Sequence, residues 1–136
     1  MIRGSCLCGA VAYEADALSA PIGNCHCRTC QKAHSAAFAT TARVMRADFR
    51  WIRGDDARGA YESSPGKLRH FCARCGSQLM AEWVTDDQVI LRIGSVDEGL
   101  EGQRPVRHIW VSHQAPWDLG PNDPLPRYPE GPPPAR

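Results

Sequence analysis

The chain is 136 residues long and nearly neutral, with sixteen Lys and Arg against fifteen Asp and Glu. This length suits one domain built on a single core, and the balanced charge offers no basic field to hold nucleic acid non-specifically. The longest apolar-leaning run, residues 6–13, falls far short of the roughly 20 residues that cross a bilayer.

Taken in chain order, that run is the only stretch comparable to a signal-peptide core. It has no basic leader beyond Arg3, runs into Glu14 and Asp16, and lacks a small-residue cleavage site, so it reads as part of the mature fold. Alternating or β-branched stretches at 10–13, 38–44, 79–84, 89–93 and 106–111 predict strands. Turns are expected at Gly54-Asp55-Asp56, Ser64-Pro65-Gly66, Asp86-Asp87 and 99–102. One short helix is predicted from Cys27 to about His34. From 121 to 136, seven of sixteen residues are proline, which removes N–H donors and fixes φ, so neither regular strand pairing nor helix is expected there. The fold class is therefore mostly β and antiparallel, with a single domain over 1–130 and a Pro-rich tail over 131–136, loose after about Glu130.

Seven cysteines is an odd number, and their pairs sit one or two residues apart. That spacing suits convergence on a metal in a reducing compartment rather than a secreted disulfide framework, which makes the cytoplasm the expected location. Cys6-Leu7-Cys8-Gly9 and Cys72-Ala73-Arg74-Cys75-Gly76 read as two zinc knuckles. Gly9 permits the chain to curve, and Gly76 at positive φ frees backbone N–H groups to bond sulfur. Four thiolates complete a tetrahedron and leave no open position, so Cys6, Cys8, Cys72 and Cys75 form a structural zinc site.

The remaining run, Cys25-His26-Cys27-Arg28-Thr29-Cys30-Gln31-Lys32, supplies three thiolates and no fourth. Three protein ligands with one open position is the pattern of a catalytic zinc, and a thiol suits the vacancy because zinc favours sulfur and deprotonates it. Addition of that sulfur to an electrophilic carbon is the expected chemistry. The competing reading is a second structural site closed by His26, His34 or His70, with His34 the strongest of the three. A redox role for the CxxC pair fits less well beside a zinc knuckle. Arg28, Lys32, Arg69 and Arg74 flank the cysteines as possible counter-charges or carboxylate partners, and Trp51, Trp83, Trp110 and Trp117 read as core or pocket wall.

The three cysteine segments, in this order, resemble the glutathione-dependent formaldehyde-activating family, also called the GFA or centromere-protein-V domain. The resemblance extends through Gly4-Ser5-Cys6-Leu7-Cys8-Gly9-Ala10-Val11-Ala12-Tyr13-Glu14, Phe71-Cys72-Ala73-Arg74-Cys75-Gly76-Ser77, His108-Ile109-Trp110, Ala115-Pro116-Trp117 and Leu125-Pro126-Arg127-Tyr128-Pro129. It implies an Mss4-like β-tent fold, a structural zinc on Cys6, Cys8, Cys72 and Cys75, and a catalytic zinc on Cys25, Cys27 and Cys30. The implied activity is that of an S-(hydroxymethyl)glutathione synthase, a carbon–sulfur lyase joining glutathione and formaldehyde. Family members often carry a lysine just before Ala-Pro-Trp where this chain has His113-Gln114, so the metal ligands are carried over but no glutathione contacts. The expected partner is a small thiol, glutathione first, with neither nucleic acid nor membrane. The alternatives are a thiol-binding module without turnover and a zinc-stabilised protein-interaction module.

Overall fold

Short apolar stretches punctuated by Gly, Asp and Pro fold into two sheets and one helix in the computed structural model, which describes residues 1–120 and 122–132. The smaller sheet has the order β10-β1-β2-β5, formed by Val96–Glu98, Ile2–Ser5, Ala12–Ala15 and Phe49–Arg53. The larger has seven strands in the order β11-β3-β4-β9-β8-β7-β6, from His108–Ile109, Gly23–Cys25, Ala39–Met45, Gln88–Arg92, Gln78–Trp83, Lys67–Cys72 and Arg58–Ser64. Helix α1, Arg28–His34, interrupts the strands between β3 and β4.

One buried cluster draws side chains from both sheets. Ile2, Tyr13 and Ala15 from the smaller sheet meet Val44, Leu79, Val89 and Leu91 from the larger. Period-2 alternation explains the sorting. In β9, Val89 and Leu91 enter this core, while Ile90 and Arg92 face the opposite side of the sheet. The register carries that second face across the strands, since Arg92 lies opposite Thr41, Ile90 opposite Arg43 and Ala81, and Ala81 opposite Arg69. A basic face thus stands behind an apolar one on the same strands.

The predicted strands at 38–44, 79–84 and 89–93 correspond to β4, β8 and β9, and the predicted turns at Ser64-Pro65-Gly66 and Asp86-Asp87 join β6 to β7 and β8 to β9. Three corrections are needed. The strand expected over 106–111 contracts to the two residues of β11, which pairs parallel to β3, because Trp110 turns into the left-handed region at φ 58° and ends it. Strands β1, β3, β5, β6, β7 and β10 lie outside the expected stretches, their sequences being short, glycine-containing or rich in charge.

The proline-rich segment also pairs more than expected. His108 N–H donates to the Pro126 carbonyl and Tyr128 N–H returns to the His108 carbonyl, while Trp110 and Val111 donate to Glu130 and Tyr128. Proline lacks a donor but keeps its carbonyl, so a Pro-rich strand can serve as an acceptor edge. Of the expected loose tail, residues 133–136 lie outside the described residues.

Candidate metal centre and adjoining cleft

All seven cysteines are free, and their sulfurs gather in two groups whose members lie within 4.8 Å of one another: Cys6, Cys8, Cys72 and Cys75, and Cys25, Cys27 and Cys30. A tetrahedral zinc with Zn–S bonds of about 2.3 Å requires sulfur–sulfur edges of about 3.8 Å. The observed separations are 3.6 Å for Cys6 to Cys8, 3.8 Å for Cys8 to Cys72 and 3.7 Å for Cys25 to Cys30. These match the edges a tetrahedral ion would require and are far longer than a disulfide of about 2.05 Å, so the donor sets fit a thiophilic metal in both places.

The four-cysteine group is built by two tight turns. Gly9 and Gly76 take φ of 80° and 81°, conformations that would strain a side-chain-bearing residue. The first turn lets Val11 N–H donate to Cys6 Sγ at 3.2 Å, and the second lets Arg74 N–H donate to Cys72 Sγ at 3.4 Å. Ser77 joins the two, accepting Leu7 N–H at 2.9 Å and lying 3.3 Å from Cys75 Sγ. Donors aimed at sulfur favour the thiolate. Beside Ser77, the Cys75 thiol is drawn down to about 5.

The three-cysteine group is assembled from β3 and α1. Cys25 ends β3, held between β4 and the parallel β11, and Cys27 caps α1 by accepting Cys30 N–H at 3.2 Å. Hydrogen bonds from Cys25 and Cys27, together with the positive charges of Arg92 and Arg69, push the Cys30 thiol strongly down. Gln31, buried in the helix, donates through Nε2 to the carbonyls of His26 at 2.7 Å and His113 at 2.8 Å, and so pins the cysteine loop to the segment after β11.

A cleft of about 520 Å³ opens on this second group, lined by Cys25, Cys27 and Cys30. Arg28, Arg43, Lys67, Arg69, Arg92 and Arg107 also line it, and no acidic residue does so among the described residues. Trp83, Trp110 and His113 form further parts of the wall, and Gly131 and Pro132 bring the C-terminal segment to it. Trp110 packs on His113 with ring centroids 5.2 Å apart. A bulky residue held at positive φ beside a cleft is a strained element retained by its surroundings. Here the Trp110 N–H bond to Glu130 and the Val111 N–H bond to Tyr128 hold it.

The family model described as glutathione-dependent formaldehyde-activating enzyme matches residues 1–113. The chain belongs to this family. A crystal structure of a protein from Rhodobacter sphaeroides shares its fold, with a TM-score of 0.61 and 24% identity over 92% of this chain and 98% of that one. Comparison with the curated proteins returns no match.

In this family member the cysteines named from spacing meet in the expected two groups. The histidines weighed as a fourth ligand do not join the second group at 4.8 Å. His26 turns away from its flanking cysteines, its Nε2 2.9 Å from His108 Nδ1, and His108 Nε2 in turn lies 3.0 Å from Asp123 Oδ2. A carboxylate only accepts, so His108 carries its proton on Nε2 and His26 donates to it. This buried chain fastens the cysteine loop to the C-terminal segment. His34 faces a different cleft, and burial holds it down to about 4; His70 pairs with Glu82 at 2.8 Å. Of the flanking cations, Arg28 and Arg69 line the cleft, Lys32 is exposed, and Arg74 pairs with Asp56 at the other cysteine group. Trp83 and Trp110 are cleft wall and Trp51 packs among aromatics, but Trp117 is exposed, correcting the expectation of core or pocket wall for all four.

Arg43, Lys67, Arg92 and Arg107 were missed as cleft residues. The available signal was alternation in Lys67-Leu68-Arg69-His70 and Val89-Ile90-Leu91-Arg92, which puts basic residues on one face of each strand. No helix is long and apolar enough to cross a membrane among the described residues.

Proposed function

We propose that the chain is a zinc-dependent carbon–sulfur lyase of the S-(hydroxymethyl)glutathione synthase type, taking a small thiol, glutathione first, and adding it to formaldehyde or a related aldehyde. The observation that carries this reading is the position of the three-sulfur group, which lines an open cleft rather than lying closed within protein. Cys25, Cys27 and Cys30 would hold one zinc ion and Cys6, Cys8, Cys72 and Cys75 a second. When bound at the three-sulfur group, zinc supplies a Lewis-acid position that favours sulfur and lowers the pKa of a thiol brought to it.

The chain's own residues do the rest. Arg69 and Arg92 offset the negative charge of the thiolates, and Trp110 and Trp83 bound the space in which the reactants meet. The sulfur forms a bond to the aldehyde carbon, the carbonyl π pair moves to oxygen, and the thiol proton ends on that oxygen, so no further reactant is consumed. His113 is the histidine in the cleft lining. Its Nδ1 accepts from the Arg28 N–H at 3.4 Å, which leaves the proton of the neutral ring on Nε2 to hydrogen-bond the developing alkoxide, while the thiol proton reaches that oxygen through solvent. His26 and His34 are less suited to this, one being engaged with His108 and the other facing another cleft.

Thiols add to formaldehyde unaided, so acceleration is the quantity to measure. Exchange between formaldehyde and its glutathione adduct, followed by NMR, is expected to exceed the buffer rate with the wild type by about 100-fold or more, and to return to that rate in Cys27→Ser. A wild-type rate equal to buffer would reject the enzyme. Zinc-dependent thiol binding without acceleration would leave a thiol-holding module in its place.

A further inference from the structure

Arg69 and Arg92 are each 4% exposed, and three of their N–H-bearing atoms, Arg69 Nη1, Arg92 Nε and Arg92 Nη2, are buried without a hydrogen-bond partner. Buried guanidinium groups normally face a carboxylate or phosphate, because desolvating the charge without one is costly. The cysteines lower that cost only through space, since neither arginine donates a hydrogen bond to a sulfur. Arg69 makes one bond, from Nε to Ser63 Oγ at 2.9 Å, which orients the group but leaves its charge unpaired.

We propose that Arg69 and Arg92 form a carboxylate-binding subsite of the three-cysteine cleft, so that the thiol accepted there is one that carries a carboxylate. This rests on the thiol reading above and narrows its substrate class. Both arginines line the cleft together with Lys67. Arg92 also borders the neighbouring cleft, which holds Asp97, but Arg69 does not, so the two cations share only the side that the cysteines occupy. Charge counting points the same way. Three thiolates around a divalent ion carry one net negative charge, and a thiol bound as its anion makes it two. The lining holds six cations, Arg28, Arg43, Lys67, Arg69, Arg92 and Arg107, of which Arg43 pairs with Asp86, so positive charge is left over for an anionic group on the incoming molecule. Burial has pulled Arg92 down to about 10, and Lys67 is also lowered by burial and then by its two cationic neighbours. An arriving carboxylate relieves that repulsion and accepts two N–H bonds in one plane, a geometry suited to arginine rather than lysine.

The test is calorimetric titration of the zinc-loaded protein with glutathione and with glutathione diethyl ester, which keeps the thiol and removes both carboxylates. Wild type is expected to bind glutathione at least about tenfold more tightly than the diester, as charged hydrogen bonds of this kind warrant. In Arg92→Met and in Arg69→Met, where a neutral side chain of similar reach replaces a buried unpaired charge, that ratio is expected to approach one. Either variant suffices if the other fails to fold. Equal affinities in the wild type would overturn the subsite while leaving thiol binding intact. A ratio retained in a folded variant would also overturn it. Binding of neither compound would reject the thiol reading itself, and the subsite with it.

Discussion

Replacing Cys72 by serine is expected to remove the cooperative thermal transition of this protein. Cys72 is fully buried in the main core at the end of β7, and its sulfur lies 3.8 Å from that of Cys8. Metal binding at four-cysteine sites is coupled to folding and contributes on the order of 10 kcal/mol, comparable to the whole stability of a small protein at about 5–15 kcal/mol. The site also ties β1 to β7, across the two sheets, so its loss frees the N-terminal strand from the larger sheet. A serine hydroxyl binds zinc poorly and would itself be buried without compensation. Near-UV circular dichroism through a thermal ramp should lose its transition in Cys72→Ser, and a strong chelator should have the same effect on the wild type. A melting temperature within a few degrees of wild type would mean that this group does not hold the fold.

Cys25→Ala should behave oppositely, with the fold retained, bound zinc falling from two ions per chain to one, and thiol binding lost. Cys25 and Cys30 pack in a small cluster with Ala39, Ile109 and Trp110, apart from the core that joins the sheets. The substitution leaves β3 paired on both sides by backbone hydrogen bonds. Its expected cost is about 1–2 kcal/mol, visible as a small fall in melting temperature. Metal analysis beside circular dichroism separates the outcomes. Collapse of Cys25→Ala would mean that the structural and open groups have been assigned the wrong way round.

The cysteines were legible in sequence because ligand spacing is a local property. Two residues between Cys72 and Cys75, or one between Cys6 and Cys8, restrict the sulfurs to a common ion whatever the fold around them. The helix at the second group was legible for the same reason, with Cys27 as its cap. What surrounds the open group was not. Its cationic lining comes from β4, β7, β9 and the segment before β11, brought together by sheet order rather than by nearness in the chain. Overall neutrality hid it, because most of the paired acids meet arginines outside the cleft, as Asp16 with Arg50 and Glu98 with Arg3, and among the described residues the one that pairs with a cleft cation, Asp86 with Arg43, lies outside the lining. The pairing of the proline-rich segment was equally hidden, since it depends on carbonyls, which composition does not report.

On the proposed reading, the three-cysteine group holds zinc with one position open to a thiol. X-ray absorption at the zinc edge, with and without glutathione, tests it most directly. Seven cysteines shared between two ions predict a first shell of seven sulfurs and one lighter atom over the pair, rising to eight sulfurs when glutathione is added. A shell containing a histidine nitrogen and unchanged by glutathione would contradict the account, because the second site would then be closed by the protein.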